Sequence, residues 1–150
     1  MNSSVSKPVS SRFTQHHLIT SKAIAMVEQA IMLAQSKGAD VAATVVDRAG
    51  LVIASARANG AGFATLEGSR RKAYTAVNLK MSSAEVEKLV RENIALHALG
   101  TITDLLPLQG AVLIRVDDEI VGALGVGGAS GAIDEQCAVE AIQHVLQSNA

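Results

Sequence analysis

The sequence predicts an α+β domain in three layers: an antiparallel sheet with helices on its faces. Two β-branched segments each double back about a short polar turn, which implies antiparallel pairing. Helical periodicity lies before the first pair, between the two pairs and after the second. The chain has 150 residues, the size of one domain with one core.

Ordered structure is expected from Leu18, with residues 1–17 a polar, Ser-rich tail and 18–150 the domain. Thr20 or Ser21 can cap a first helix, where a side-chain oxygen accepts a free N–H of the opening turn. Ile24, Val27, Ile31 and Ala34 then recur at helical spacing, widened by Ala23 and Ala30, until Gly38 ends the helix beyond Lys37. Val41 to Asp47 reads as a strand and Leu51 to Arg57 as its partner. Arg48-Ala49-Gly50 forms the turn, with Asp47 bonding its own backbone and Gly50 supplying a positive φ. The run Leu51-Val52-Ile53-Ala54 lacks alternation, so both faces of that strand are expected to be covered.

Asn59 to Gly62 breaks the pattern, and a helix follows from Thr65 to Lys80. Ser82 with Glu85 forms a capping box for the next helix, whose stripe Val86, Val90, Asn93 and His97 makes His97 a core or interface histidine. Ala98 to Gly110, broken by Pro107, reads as a loop. Ala111 to Val116 and Glu119 to Val126 form a second hairpin about Asp117-Asp118. A last helix from Asp134 to Gln147 presents Ala138, Ala141, Ile142 and Val145 inward.

Hydrophobic residues make up 49% of the chain, yet only Phe13, Phe63 and Tyr74 are aromatic. The core is therefore built from Ala, Val, Ile and Leu, small enough for helices to lie close on a sheet. So apolar a chain has limited interior, and some of its apolar surface is assigned to contacts between copies. A net charge of -1 gives no basis for nucleic-acid binding. Arg70, Arg71 and Lys72 read as a solvated helix face. No segment is long enough to span a bilayer, and the polar N-terminal stretch lacks the apolar run of a secretory signal, so a cytoplasmic location is expected. Cys137, the single cysteine, reads as a small buried hydrophobe.

Four segments in order resemble one family. They are Ala43-Thr44-Val45-Val46-Asp47-Arg48-Ala49-Gly50-Leu51, Arg57-Ala58-Asn59-Gly60-Ala61, Arg71-Lys72-Ala73-Tyr74-Thr75-Ala76, and the run Ile120 to Ala129 followed by Asp134-Glu135. Together they resemble the GlcG/HbpS-like, haem-degrading-like domain, also found at the C-terminus of PduO-type proteins. The likeness runs from about Leu18 to Leu146. It implies a profilin-like core with a five-stranded antiparallel sheet, and a homo-oligomer, often an octamer. It also implies haem as a cofactor for some members, linked to haem degradation or redox sensing. Other members sit in small-molecule catabolic operons. The sequence departs from the family where a Gly-Gly-X-Pro run is usual: Ala111 replaces the second glycine and Leu113 the proline. Asp117-Asp118 likewise replaces an Asp-Gly turn. If the glycine pair shapes a ligand pocket, a methyl at Ala111 narrows it.

Three functional readings follow. Haem needs an apolar slot and usually an axial ligand, most often His. His16 and His17, just before the first helix, are the candidate cofactor ligands, because some haem-binding relatives carry a ligand there. His144 reads as a surface residue near a helix C-terminus, and no histidine pair has the i, i+4 zinc spacing, so no metal site is expected. The second reading is an isomerase or tautomerase on a small carboxylate or carbonyl compound. There Arg57 and the loop Asn59 to Gly62 hold the carboxylate, and Lys72 or Tyr74 moves a proton. The ordinary roles of these residues are ion pairing for Arg57, snorkelling for Lys72 and packing for Tyr74. The third is a non-catalytic scaffold, with the tail Met1 to Ser11 facing a partner.

Overall fold

A computed structural model describes residues 14–148. The order is α1 (Thr20–Ser36), β1 (Ala42–Asp47), β2 (Val52–Arg57), α2 (Ala64–Leu79), α3 (Ser83–Glu92), a 3₁₀ helix (Ile94–Thr101), β3 (Ala111–Val116), β4 (Glu119–Gly127) and α4 (Gly131–Gln147). The strands form one antiparallel sheet in the order β2-β1-β4-β3. The α+β class read from the sequence is the fold observed. The described residues supply four strands where the resemblance implies five. Residues 1–13 of the expected tail lie outside the described residues.

Alternation along β1 sorts the layers. Ala43 and Val45 face the main core with Ala23, Met26, Val27 and Ala30 of α1 and Cys137, Ala138, Ala141 and Ile142 of α4. Val46 faces the other way, packing with Ala73, Ala76 and Val77 of α2. Thr44, also on that face, shares its hydroxyl with Ser69 of α2 at 2.8 Å and with Ser55 of β2 at 2.7 Å, so the buried oxygens are satisfied. On β4 the positions toward α2 are Ala123, Gly125 and Gly127. A Cβ on Gly125 would collide with the carbonyl oxygen of Ser69 and lie 2.9 Å from the Ala73 nitrogen. The helix therefore rests directly on the strand, as the scarcity of large side chains predicts.

Several local expectations hold in detail. Asp47 Oδ1 accepts from the N–H groups of Ala49 (2.8 Å) and Leu51 (3.0 Å), and Gly50 has φ +84°. Ser82 and Glu85 form the reciprocal capping box. Cys137 is buried, and that burial pushes its thiol above the ordinary range.

Other expectations are corrected. The N-cap of α1 is Ile19, with no side-chain cap, and Thr20 is already helical. β2 is an edge strand rather than a covered one, with Leu51 just before it 67% exposed and Val52 49% exposed. α3 ends at Glu92, because Asn93 turns extended and its side chain accepts from the Ala95 N–H to start the 3₁₀ helix. His97 falls in that 3₁₀ helix and is exposed, not a core histidine. α4 starts three residues early, at Gly131, because Ser130 caps it by accepting from the Ile133 N–H. The run Arg70-Arg71-Lys72 is not a solvated face. Arg70 meets Glu67 and Asp104, Arg71 donates to the Leu105 carbonyl at 2.8 Å, and Lys72 turns inward.

Candidate functional site

The segment ahead of α1 crosses the β3–β4 hairpin, and His16 fastens it there. Its backbone N–H donates to Glu119 Oε1 at 3.2 Å, and its Nδ1 lies 2.5 Å from Glu119 Oε2. Arg48, from the β1–β2 turn, donates through Nη1 to Glu119 Oε1 at 2.7 Å. The hydrogen bond from His16, with Arg48 adding its charge, holds the Glu119 carboxyl below the ordinary range. An ionised carboxylate only accepts, so the proton between the two side chains sits on His16 Nδ1. In the neutral ring Nε2 then carries the free lone pair.

Beside His16 lies a cavity of about 310 Å³. Leu18, Ile19, Val116, Val121 and Leu146 give it a largely apolar wall, and His17, Lys22 and Asp117 also line it. A β-bulge positions Val121: the pairing of β4 with β3 steps from Gly122↔Ile114 to Ile120↔Arg115, leaving Val121 as the extra residue. Val121 joins the main core while also lining the cavity.

The second predicted set is dispersed. Arg57 donates to the Ala61 carbonyl at 2.6 Å and lies 5.8 Å from the centre of the Phe63 ring, at the end of the sheet where it pairs with Ala42. Tyr74 is half-buried over the opposite end, where its ring would be 2.7 Å from a Cβ on Gly50. Lys72 is buried. Its Nζ donates to the Val126 carbonyl at 3.1 Å and to Asp134 Oδ2 at 3.2 Å, while Asp134 Oδ1 accepts from the Ala129 N–H at 3.0 Å. Burial raises the Asp134 carboxyl above its ordinary value, a shift opposed by the charge of Lys72. Gly110 leaves room for this pair: a Cβ there would stand 2.8 Å from Lys72 Nζ. Ala111 is buried in the layer under α2, with its N–H donating to Ser83 Oγ at 2.8 Å; its methyl fills core and does not border the cavity beside His16.

No hydrogen bond or ion pair among the described residues links Arg57, Lys72 and Tyr74. His16 and His17 do share one cavity. Sequence reasoning missed Glu119, Arg48 and Lys22 as neighbours of the histidines. Glu119 lies 103 residues from His16, and its one local signal is an acid just past the Asp117-Asp118 reversal. Among the described residues no three His, Cys, Asp or Glu side chains cluster as a metal site, and no helix is long and apolar enough to cross a membrane.

Taken together, these features define a small α+β domain whose entry segment brings a carboxylate-oriented histidine to an apolar cavity. The chain belongs to the HbpS-like family, described as haem degrading protein HbpS-like, whose model matches residues 18–143. A double mutant of HbpS from Streptomyces reticuli is similar at a TM-score of 0.82 and 32% identity, over 94% of this chain and 97% of that one. The ORFY protein of Klebsiella pneumoniae shares the fold at a TM-score of 0.82 and 23% identity, over 90% and 97% of the two chains. So does a PduOC–haem complex, at 0.78 and 23%, over 85% and 94%. Among curated proteins no sequence matches.

Proposed function

We propose that this protein is an oligomeric haem-binding protein, serving haem handling or redox sensing, with the cavity beside His16 as its haem site. The observation that carries the reading is the His16–Glu119 pair. Histidines that ligate metals commonly donate their second ring nitrogen to a carboxylate, which fixes the tautomer and raises the basicity of the ligating nitrogen. The pair at 2.5 Å has that form. The residues present suit haem: an apolar wall from Leu18, Val116, Val121 and Leu146 for one face of the ring, and Lys22 as a cation for a propionate. Bound haem would supply an iron centre open to ligand exchange or electron transfer. His16 Nε2 would hold that iron, Glu119 would keep the ring oriented, and His17 would stand as the alternative ligand at the rim. The wall would exclude water from one side.

Membership of the family, and a PduOC–haem complex among the structures sharing the fold, support the same reading. The isomerase reading ranks second. Its proton carrier, Lys72, is already engaged by Asp134 and the Val126 carbonyl.

We infer further that copies assemble, with the octamer implied by the resemblance as the expected state. A β2 edge unpaired among the described residues, Phe63 at 94% exposure and Ile94 at 82% leave apolar surface for contacts between copies. The cytoplasm, a reducing compartment, suits a chain with one cysteine. A polar segment 1–17 ahead of a domain from 18 onward remains the proposed division.

The test is a haemin titration of the purified protein. A saturable Soret shift at micromolar haemin is expected, lost or moved in His16→Ala with His17→Ala, and weakened in Glu119→Gln. No saturable change with the parent protein would sink the reading.

A further inference from the structure

We propose that a second cleft, between the end of α2 and the β3–β4 hairpin, binds small polycarboxylate anions. The cleft has a volume of about 460 Å³. Three cations from three separate elements line it: Arg48 of the β1–β2 turn, Lys80 at the C-cap of α2, and Arg115 of β3. Val77 and Ile120 add apolar surface, and Gln15 also lines it.

Charge balance favours an anion. The cleft contains two carboxylates, Asp118 and Glu119. Glu119 is already shared between Arg48 and His16. Lys80 and Arg115 form no ion pair among the described residues. Arg48 is engaged through Nη1, and its Nη2, though without an acceptor among those residues, is buried, so Arg48 lends the cleft its charge rather than a surface donor. The Arg115 guanidinium is the group that can meet a carboxylate through paired N–H donors.

One feature opposes an anion here: the C-terminal end of α2, whose carbonyls carry the negative end of the helix dipole. Lys80 is placed to offset it. Its backbone holds φ +56°, the left-handed conformation at which glycine commonly ends a helix. A lysine there gives up backbone ease and brings a positive charge to the C-terminal end of the helix. A short acid with two or three carboxylates suits the cleft, its charged groups on Arg115 and Lys80 within the field of Arg48 and its carbon chain on Val77 and Ile120.

The same carboxylate chemistry has a second source. Glu119 borders this cleft and holds His16 at the neighbouring cavity, so a haem propionate could reach the cations. The site stands without the haem reading, and the experiment separates the two.

Citrate is titrated calorimetrically into the full-length protein at constant ionic strength set with chloride. Saturable binding is expected, weakened about tenfold or more in Lys80→Gly and in Arg115→Gln, as loss of a charge-assisted contact requires. Lys80→Gly should also raise thermal stability, so weaker binding in that variant is not a folding defect. Haemin is then titrated into the Lys80→Gly, Arg115→Gln double variant. Unchanged haem affinity with lost citrate binding assigns the cleft to free acids; loss of both assigns it to propionates as well. Absence of citrate binding, binding within about twofold of the parent in the double variant, or full displacement by chloride would overturn the proposal. Failure of the haem reading appears only in the haemin titration of the parent protein and leaves the citrate isotherm unchanged.

Discussion

Lys72 Nζ and Asp134 Oδ2 lie 3.2 Å apart between α2 and the first turn of α4, with the Asp134 side chain only 1% exposed. Each charge is the other's main compensation for leaving water. The Val126 carbonyl and the Ala129 N–H complete the hydrogen bonding. The pair ties both helical layers to the end of β4.

Removing one partner should therefore cost far more than removing both. Lys72→Met alone leaves a buried carboxylate and should destabilise the protein by about 3–5 kcal/mol. The double variant with Asp134→Asn should recover a large part of that loss. Urea unfolding of the two single variants and the double variant measures the coupling. Equal losses in Lys72→Met and in the double would show that the two charges are not coupled.

Gly125→Ala tests the contact of α2 with the sheet. The new methyl must displace the Ser69 carbonyl and the Ala73 backbone, both part of a regular helix. A loss of about 1–3 kcal/mol or more is expected, the range for overpacking. Thermal unfolding reads it, and a variant as stable as the parent would show that α2 lifts freely.

The β3–β4 turn should improve with glycine. Asp117 and Asp118 both hold positive φ, +50° and +63°, as a type I′ reversal requires. Asp118→Gly removes the strain of a side chain in that conformation and should add up to about 1 kcal/mol, near 2–4 °C in Tm for a domain of this size. An unchanged or lower Tm would count against the turn geometry.

Acid should loosen the hold of Glu119 on the entry segment. Its folded-state carboxyl titrates below the ordinary 4.5, chiefly through the His16 hydrogen bond. Between the two values the unfolded chain binds more protons than the folded one. The stability this carboxylate contributes is thus complete above pH 4.5 and declines as pH falls through its folded value. Urea midpoints of the parent and Glu119→Gln, measured from pH 7 downward, should differ at neutral pH and converge in acid. A constant gap would refute the assignment.

Much of the scaffold was legible because its causes are local. Asp47 and Gly50 announce their turn, Ser82 and Glu85 their cap, and the stripes of α1 and α4 their buried faces. Sequence proximity misled where the partner was distant. Arg70, Arg71 and Lys72 look alike in a row, yet successive helical positions turn by about 100° and send them to Asp104, Leu105 and Asp134. The coverage of Leu51 and Val52 depends on strand order, which a hairpin alone does not specify. For His16, a position ahead of the first helix could be read, but the carboxylate that orients it comes from 103 residues further along the chain. His97 was misplaced because its stripe continues past the point where Asn93 ends the helix.

Ala123, Gly125 and Gly127 form a floor from which nothing can be removed but one methyl and to which almost nothing can be added. Any change of side-chain size on that side of this sheet must therefore fall on the overlying helix, not on β4. The residues of α2 that face this floor can grow only where the helix overhangs its ends, at the Arg57 loop and at the Lys80 cleft, whereas on the outer face an added Cβ at Gly68 meets nothing within 4 Å.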